Sequence, residues 1–489
     1  MSNAQRYALL MIATTIVALA TVFVAYEALP DRAFAADDFQ WLLNVRDRSL
    51  QMIIVRAFDA SAESHFYRPL VWLLLWGQWQ LFSFDASAFH RVSLALHVIN
   101  AALVSWLAYR IVRSRTSIAL VVGFTATMLV TALHPAPFEA VVWVSAQSEL
   151  LAALFLLLTL HCWWSASLSD ERSLSRLIWS VVAAVLLMLA LLTKESAIIG
   201  LPLIVLLEWE AARMIRRRMA LIPLILPLLA TAVYLTAALD VASRNYLVRE
   251  SGYGVGAQLV LNPLRSLGLI VAPLPGVEYG RAAWLPIAGA GAALAGIMAL
   301  AIVWRYGKGV ASLLAGVLAL IITLAPTAPF ASAPDSRYLY LPVMVVALIA
   351  GGWSATLVDW VVSAESRKHT RIVRLSIGGV AIVVALAFGL LAINETRGRE
   401  VRFAAGARPG EELRLFAAAQ CADERPDRML VVEPPIAAPH VEAIIRLSCG
   451  ASPHTMVIGM GDVERELRPN TLIVVFDGGF PHLLTRTSS

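Results

Sequence analysis

The sequence predicts a polytopic α-helical membrane protein with a small soluble α/β unit at its C-terminal end. Composition is the first reason: 59% of the 489 residues are hydrophobic and only 15% charged, so apolar runs long enough to cross a hydrocarbon core of about 30 Å recur along the chain. The second is the placing of basic residues in clusters between those runs, which reads as membrane topology and not as a nucleic-acid surface. The third is a change of composition after about residue 394, where helix-like and strand-like stretches begin to alternate.

The first apolar run, residues 7–29, is too long for a signal-peptide core and lacks a small-residue cleavage site, so it reads as a helix. Residues 30–90 form a long first loop. Within it, 70–82 is apolar but short and holds Trp72, Trp76 and Trp79, which suits a helix lying in the interface. Spans follow at 90–112, 118–133, 139–164, 177–193, 196–210, 220–240, 284–304, 309–326, 338–360 and 373–394, eleven with the first helix. Residues 241–283 contain Arg244, Arg249, Glu250, Arg281, a Gly-rich stretch (Gly252, Gly254, Gly256) and an apolar half-span broken by Pro273 and Pro275. Broken backbone at membrane depth is tolerated only where protein or a water-filled cavity covers it. This reads as a second large loop with a re-entrant or interfacial piece; counting its half-spans as helices raises the total to thirteen.

Orientation follows from five basic clusters: Arg110, Arg113 and Arg115; Arg172 and Arg176; Arg213 and Arg216 to Arg218; Arg305 and Lys308; Arg367, Lys368, Arg371 and Arg374. All five face the cytoplasm only if the N-terminus is inside and the loops 30–90 and 241–283 are outside. The expected organisation is a membrane domain over 1–394 and an exported α/β domain over 395–489. In that domain, helix-like 411–420 and 440–447 alternate with strand-like 429–432, 455–458 and 472–476. Cys421 and Cys449 then lie near helix ends in an oxidising compartment and are expected to form a disulfide, while Cys162 stays a free, buried thiol. Three cysteines without metal-ligand spacing give no zinc or iron site.

Polar groups collect at the outer ends of the spans. Asp37 and Asp38, among Phe34, Phe39 and Trp41, stand at the mouth of the membrane, where acids are costly without a task or a partner. The pair equally suits the start of a helix at Phe39. His65, Tyr67 and Arg68, then His134 and Glu139, then Lys194 and Glu195, then Arg337, Tyr338 and Tyr340 complete the set. Such a set can serve transfer of a sugar from a lipid phosphate. A carboxylate takes the proton of an acceptor hydroxyl as it attacks the anomeric carbon, cations hold the departing phosphate, and alignment through an oxocarbenium-like state matters as much as basicity. Plainer roles exist for each member. Lys194 and Glu195 can neutralise each other, Arg337 with its tyrosines can anchor at the interface, His134 can end a helix before Pro135, His90 and His97 can pack within a span, and Glu139 and Glu149 can pair with arginines.

In their order, these motifs resemble a known family. Asp37-Asp38, His65 to Leu70, Phe89-His90 with Leu96-His97 and Asn100, His134-Pro135 with Glu139-Ala140-Val141, Thr193-Lys194-Glu195, Asn262-Pro263 and Arg337 to Pro342 are similar to the membrane half of the transmembrane and tetratricopeptide-repeat O-mannosyltransferases. More distantly they resemble protein O-mannosyltransferases and the lipid A aminoarabinose transferase. The resemblance covers roughly 35–345. It implies the GT-C fold, a polyprenyl-phosphate-linked sugar donor, an acid of the first outer loop as base, and inversion at the anomeric carbon. The chain departs from that pattern in lacking tetratricopeptide repeats and in having Gln147-Ser148-Glu149 where relatives tend to have Arg.

The resulting expectation is a bacterial inner-membrane glycosyltransferase with a periplasmic tail, acting on a protein or glycolipid acceptor. Asp37 is expected as base, with Asp38 orienting it or holding a divalent cation. Arg68, Lys194, Arg337 and Tyr338 are expected to bind the donor phosphate, and His65, His134, Glu139 and Glu195 to line the acceptor path. The rival readings are a transporter or flippase of a lipid-linked sugar, in which the same charges line a route, and a scaffold that displays the tail.

Overall fold

The computed structural model describes residues 3–61, 66–112, 114, 116–170, 173–244, 252–273, 284–306, 310–362, 368–423, 425–450 and 453–486. His65, Arg113, Arg115, Arg172, Arg249, Glu250, Pro275, Arg281, Lys308 and Arg367 lie outside them. Helix α1 (Asn3–Ala25) leads through a short turn at Leu29–Asp31 into three helices of the first loop: α2 (Asp37–Val45), α3 (Leu50–Phe58) and α4 (Pro69–Phe82). Two of these starts have a local cause. Ser49 caps α3 by accepting from the Met52 amide at 3.3 Å, and Pro69 opens α4, where a missing N–H costs nothing.

The bundle continues with α5 (Ala86–Ile111), α6 (Ser117–Leu133), the short α7 (Phe138–Val142), α8 (Gln147–Leu168), α9 (Leu174–Leu191), α10 (Gly200–Met214) and α11 (Ile225–Arg244). It closes with α12 (Gln258–Val271), α13 (Leu285–Tyr306), α14 (Val310–Leu324), α15 (Tyr340–Val362) and α16 (Lys368–Asp423). Seven helices among the described residues are long and apolar enough to cross a membrane, and four shorter apolar helices accompany them. The outer surface agrees with a hydrocarbon solvent: Phe23, Leu229, Ile297 and Val383 are each more than half exposed. Inside, α6 and α15 approach backbone to backbone. A Cβ on Gly351 would sit 2.1 Å from Thr127 Oγ1 and 2.6 Å from the Gly123 carbonyl oxygen, the small-residue packing expected where lipid supplies no hydrophobic drive.

Two expected spans differ. The span placed at 139–164 starts at Gln147, because the chain bends between Trp143 and Ala146 and the Ser145 amide is bonded to a side chain of the first loop. The segment expected to end at 394 continues as one helix to Asp423, and the piece read separately at 411–420 is its last part. At 1.5 Å per residue, α16 is about 80 Å long. Its apolar first half can cross the membrane while its charged second half extends beyond it.

That second half carries a four-stranded sheet built from β1 (Arg428–Val432), β2 (His454–Ile458), β3 (Thr471–Asp477) and β4 (Phe480–Arg486), with helix α17 (Ala438–Cys449) between the first two strands. The order is β2-β1-β3-β4, parallel except for β4. β4 has no forerunner in the sequence reading; it pairs with β3 across Gly478 and Gly479, whose φ of 55° and 87° form the turn. The tail is not a separate body. Phe39, Leu42, Val45 and Ile53 of the first loop share one apolar core with Leu413 of α16, Met429 and Leu472 of the sheet, and Val441, Ile444 and Ile445 of α17.

Cys421 and Cys449 are bonded to each other, Cα to Cα 5.5 Å, which ties the end of α16 to the end of α17. Cys162 is free and half-buried. Closing a loop with a sequence separation of 28 stabilises the tail by about 3 to 4 kcal/mol on the chain-entropy model. Reduction of the intact protein is therefore expected to loosen the tail before the bundle, read as earlier proteolysis of residues 425–486. Equal protection of tail and bundle after reduction would contradict this.

Candidate active site

The site begins where α1 hands over to α2. Ala36 has φ 45°, in the left-handed region that a residue with a Cβ enters only under constraint. The constraint is visible on both sides. The Ala35 amide donates to Asp38 Oδ2 at 2.9 Å, and the Ala35 carbonyl accepts from Trp143 Nε1 at 3.2 Å. Asp38 Oδ1 accepts from the Ser145 amide at 2.7 Å and from the Ser145 hydroxyl. Asp38 is 1% exposed, and both its oxygens are engaged. Burial pushes its carboxyl up to about 7 against the bonds from Ser145 and Ala35 that favour the charged form. Asp38 thus clamps the first loop to the bend between α7 and α8.

Asp37, next in line, points elsewhere. Its side chain is 47% exposed, and His440 Nε2 donates to its Oδ1 at 2.8 Å. Successive residues at a helix start face different directions, and the two acids have accordingly become one buried clamp and one accessible carboxylate. A cleft of about 160 Å³ lies beside them, with Ala36, Phe39, Gly406, Gly410, Ile436 and His440 among its walls.

Cations gather around Tyr338 at the same end of the bundle. Arg68, at the start of α4, makes two parallel bonds to Glu195, Nε to Oε2 at 2.8 Å and Nη2 to Oε1 at 2.5 Å. Lys194 Nζ meets Glu149 Oε1 at 2.8 Å, with both side chains at most 5% exposed, and lies 5.1 Å from the Tyr338 ring. The Arg337 guanidinium is 5.0 Å from that ring and 4.8 Å from the Trp143 ring. It also binds Asp335 at 2.5 Å and approaches Glu139 at 3.8 Å. Trp143 therefore touches both groups, since its indole N–H holds Ala35 while its ring supports Arg337.

The plainer alternative, in which Lys194 and Glu195 neutralise each other, is not what is found. Adjacent in sequence, they turn to different partners, Glu149 and Arg68. Burial raises the Glu195 carboxyl, but the Arg68 guanidinium overcomes that and holds it at about 2. Burial lowers the Lys194 ammonium, and the Glu149 carboxylate opposes it. Glu149 itself pairs with a lysine and not with an arginine. Around Tyr338 the structure thus assembles Arg68, Lys194 and Arg337, each already matched by an acid.

His134 plays another part. The Ala136 amide donates to its Nδ1 at 3.1 Å, so its Nε2 carries the proton and donates to the Ile270 carbonyl at 2.9 Å. With both nitrogens used and 3% exposure, His134 locks the end of α6 to α12. His65 lies outside the described residues. His97 bonds Tyr340 at 2.9 Å and the Ala132 carbonyl at 3.1 Å inside the bundle, a packing role. Among the described residues no group of three or more His, Cys, Asp or Glu could hold a metal ion. The sequence reading missed Trp143, Ser145 and His440; the first two stand four and six residues after Glu139, but nothing local marks His440.

No family model and no curated protein matches the sequence. Solved structures do. The archaeal oligosaccharyltransferase AglB from Archaeoglobus fulgidus, in complex with an inhibitory peptide and a dolichol-phosphate, superposes with a TM-score of 0.53 at 12% identity, over 92% of this chain and 65% of that one. The chain thus spans about two thirds of the archaeal protein. ArnT from Cupriavidus metallidurans in the apo state gives a TM-score of 0.47 at 14% identity, over 97% and 93% of the two chains. ArnT bound to undecaprenyl phosphate gives 0.46 at 13%, over 96% and 93%. The likeness to the archaeal protein shows the fold alone, a helical membrane bundle with a C-terminal domain.

Proposed function

We propose that this GT-C chain is an inverting glycosyltransferase that moves a sugar from a polyprenyl-phosphate carrier to an acceptor hydroxyl of a protein or glycolipid. In this reading its loops and tail, residues 395–489, lie on the periplasmic face of a bacterial inner membrane. The observation that carries it is the convergence of Lys194 and Arg337 on the Tyr338 ring, with Arg68 close enough to act on Tyr338 electrostatically, joined through Trp143 to the Asp37-Asp38 segment. A lipid phosphate entering sideways from the membrane would meet those cations, and an acceptor arriving from outside would meet Asp37. The archaeal neighbour was solved with a dolichol-phosphate and a peptide, which supports the same pairing of ligands here.

Asp37 Oδ2 takes the acceptor hydroxyl's proton as its oxygen bonds to the anomeric carbon. The bond from that carbon to the phosphate oxygen breaks, and its electron pair leaves on the phosphate. The cations stabilise the charge that develops there, in a site whose dipoles are already aligned. Asp38 keeps the segment in place and holds no cation in this scheme, because both its oxygens are engaged.

The test is incubation of the purified protein with undecaprenyl-phosphate-linked hexoses while free undecaprenyl phosphate is measured. Release that depends on Asp37 supports the transferase; movement of an intact donor across a bilayer without release supports a flippase. Arg337→Met is expected to weaken donor binding by about tenfold or more, the worth of one hydrogen bond to a charged group. Its neighbours Asp335 and Glu139 are 52% and 24% exposed, so the variant should still fold. Unchanged affinity for undecaprenyl phosphate would make Arg337 an anchor only.

A further inference from the structure

We infer that His440, in the C-terminal domain, is a positioning residue for Asp37, so that the tail completes the reaction centre. The inference rests on the reading of Asp37 as the base. A base on a half-exposed side chain needs one oxygen held and the other free. The His440 Nε2–H donates to Asp37 Oδ1 at 2.8 Å and leaves Oδ2 for the incoming proton. Asp38 cannot take that part, since its two oxygens serve Ala35 and Ser145.

The contact is not a chance meeting of two surface groups. Helix α17 lies parallel to α2. His440 meets Asp37 near their starts, and the Leu447 carbonyl accepts from Arg46 Nη1 at 2.7 Å near their ends. Between these two bonds the helices share a buried seam of Phe39, Leu42 and Val45 with Val441, Ile444 and Ile445. The disulfide then holds the end of α17 against α16. Seam, two polar ends and disulfide together determine where the imidazole stands, and His440 is only 19% exposed. A ring fixed from outside the membrane bundle thus restrains the Asp37 carboxylate directly, while the bonds from Ser145 and Trp143 act on Asp38 and Ala35. During the step the imidazole keeps its proton; it orients the carboxylate and accepts nothing from the substrate.

The experiment uses the full chain in lipid nanodiscs with undecaprenyl-phosphate-linked hexoses as donors. His440→Ala is expected to lower kcat by about tenfold, the loss of one hydrogen bond to a carboxylate, with KM for the donor unchanged. His440→Gln, whose amide can still donate, should recover most of that loss. Peptide mapping under non-reducing conditions checks that the Cys421–Cys449 bond, and so the placement of α17, survives in both. If His440→Ala keeps full turnover while Asp37→Asn loses it, the inference is wrong and the base reading stands. A Gln variant as slow as Ala, or a change confined to KM, also overturns it, since either would mark a packing role. If both Asp37→Asn and the wild type release the same lipid phosphate, or neither releases any, the transferase reading falls and this inference with it.

Discussion

Asp37→Asn should leave a folded, disulfide-bonded chain whose turnover is lower by about 100-fold or more, the usual worth of a positioned general base. The fold should survive because the Asp37 side chain is 47% exposed and, among the described residues, only one of its oxygens has a hydrogen-bond partner. An amide there can keep the bond from His440 through its carbonyl oxygen while losing the ability to take a proton. The neighbouring change has another signature. Asp38→Asn places an NH₂ group against amide and hydroxyl donors that now point at a carboxylate, so a buried unsatisfied donor follows, at about 1 to 3 kcal/mol. Loss of thermal stability in Asp38→Asn, with loss of turnover and normal stability in Asp37→Asn, is the expected pattern. The opposite pattern would exchange the two roles.

Lys194→Met is the second large effect, and it falls on stability first. Lys194 and Glu149 are 3% and 5% exposed, 2.8 Å apart. Removing the cation strands a buried carboxylate, which costs about 3 to 5 kcal/mol, whereas replacing both partners is often nearly neutral. The single variant should express poorly or unfold early in detergent, and Lys194→Met with Glu149→Gln should recover most of the lost stability. The recovered double variant then answers the functional question, because it lacks the central cation of the cluster. Weak binding of undecaprenyl phosphate by a stable double variant supports a phosphate-holding role. Wild-type affinity in that variant would reduce Lys194 to half of a structural pair. A single variant as stable as wild type would show that water reaches Glu149.

Two carboxyl groups also bear on pH. Glu195 is held at about 2 after the Arg68 guanidinium outweighs the effect of burial. A carboxyl lowered in the folded state contributes stability that is present above its unfolded value and is lost as pH falls through about 2. Asp38 carries the opposite sign. Its folded value is raised to about 7 by burial, so its contribution is fullest at acid pH and declines as pH rises towards 7.

What could be read from the chain itself was whatever repeats locally or depends on solvent. Apolar runs set most helices within a few residues, because a span must satisfy its own backbone in lipid. Alternation in the last hundred residues marked three of the four strands, because strand faces repeat every second residue. Arg68, Lys194, Arg337 and Tyr338 were legible as charges and an aromatic at span ends, where their burial is costly without a reason. The end of the last membrane helix was not legible, since Gly406, Pro409 and Gly410, residues that ordinarily stop a helix, lie inside one that runs on to Asp423. His134 shows the limit from the other side. Its chemistry suggested a site, but two backbone groups, the Ala136 amide and the Ile270 carbonyl, had already used both its nitrogens.

By itself, then, the sequence determined that this is a membrane bundle with an α/β tail and that its chemistry-bearing side chains sit at loop-proximal ends of the helices, because periodicity and the cost of charge in lipid act on neighbouring residues. Only the tertiary structure decided which acid meets which base. Lys194 chose Glu149 over the adjacent Glu195, Asp38 turned inward to Ser145, and Asp37 was left to His440, 403 positions away. Pairing depends on distance and direction in three dimensions, and two consecutive side chains at a helix start point to different places. The join between the first loop and the tail has the same origin: Phe39 and Ile444 are each ordinary apolar residues of separate helices, and they form one core only once α17 has been laid along α2.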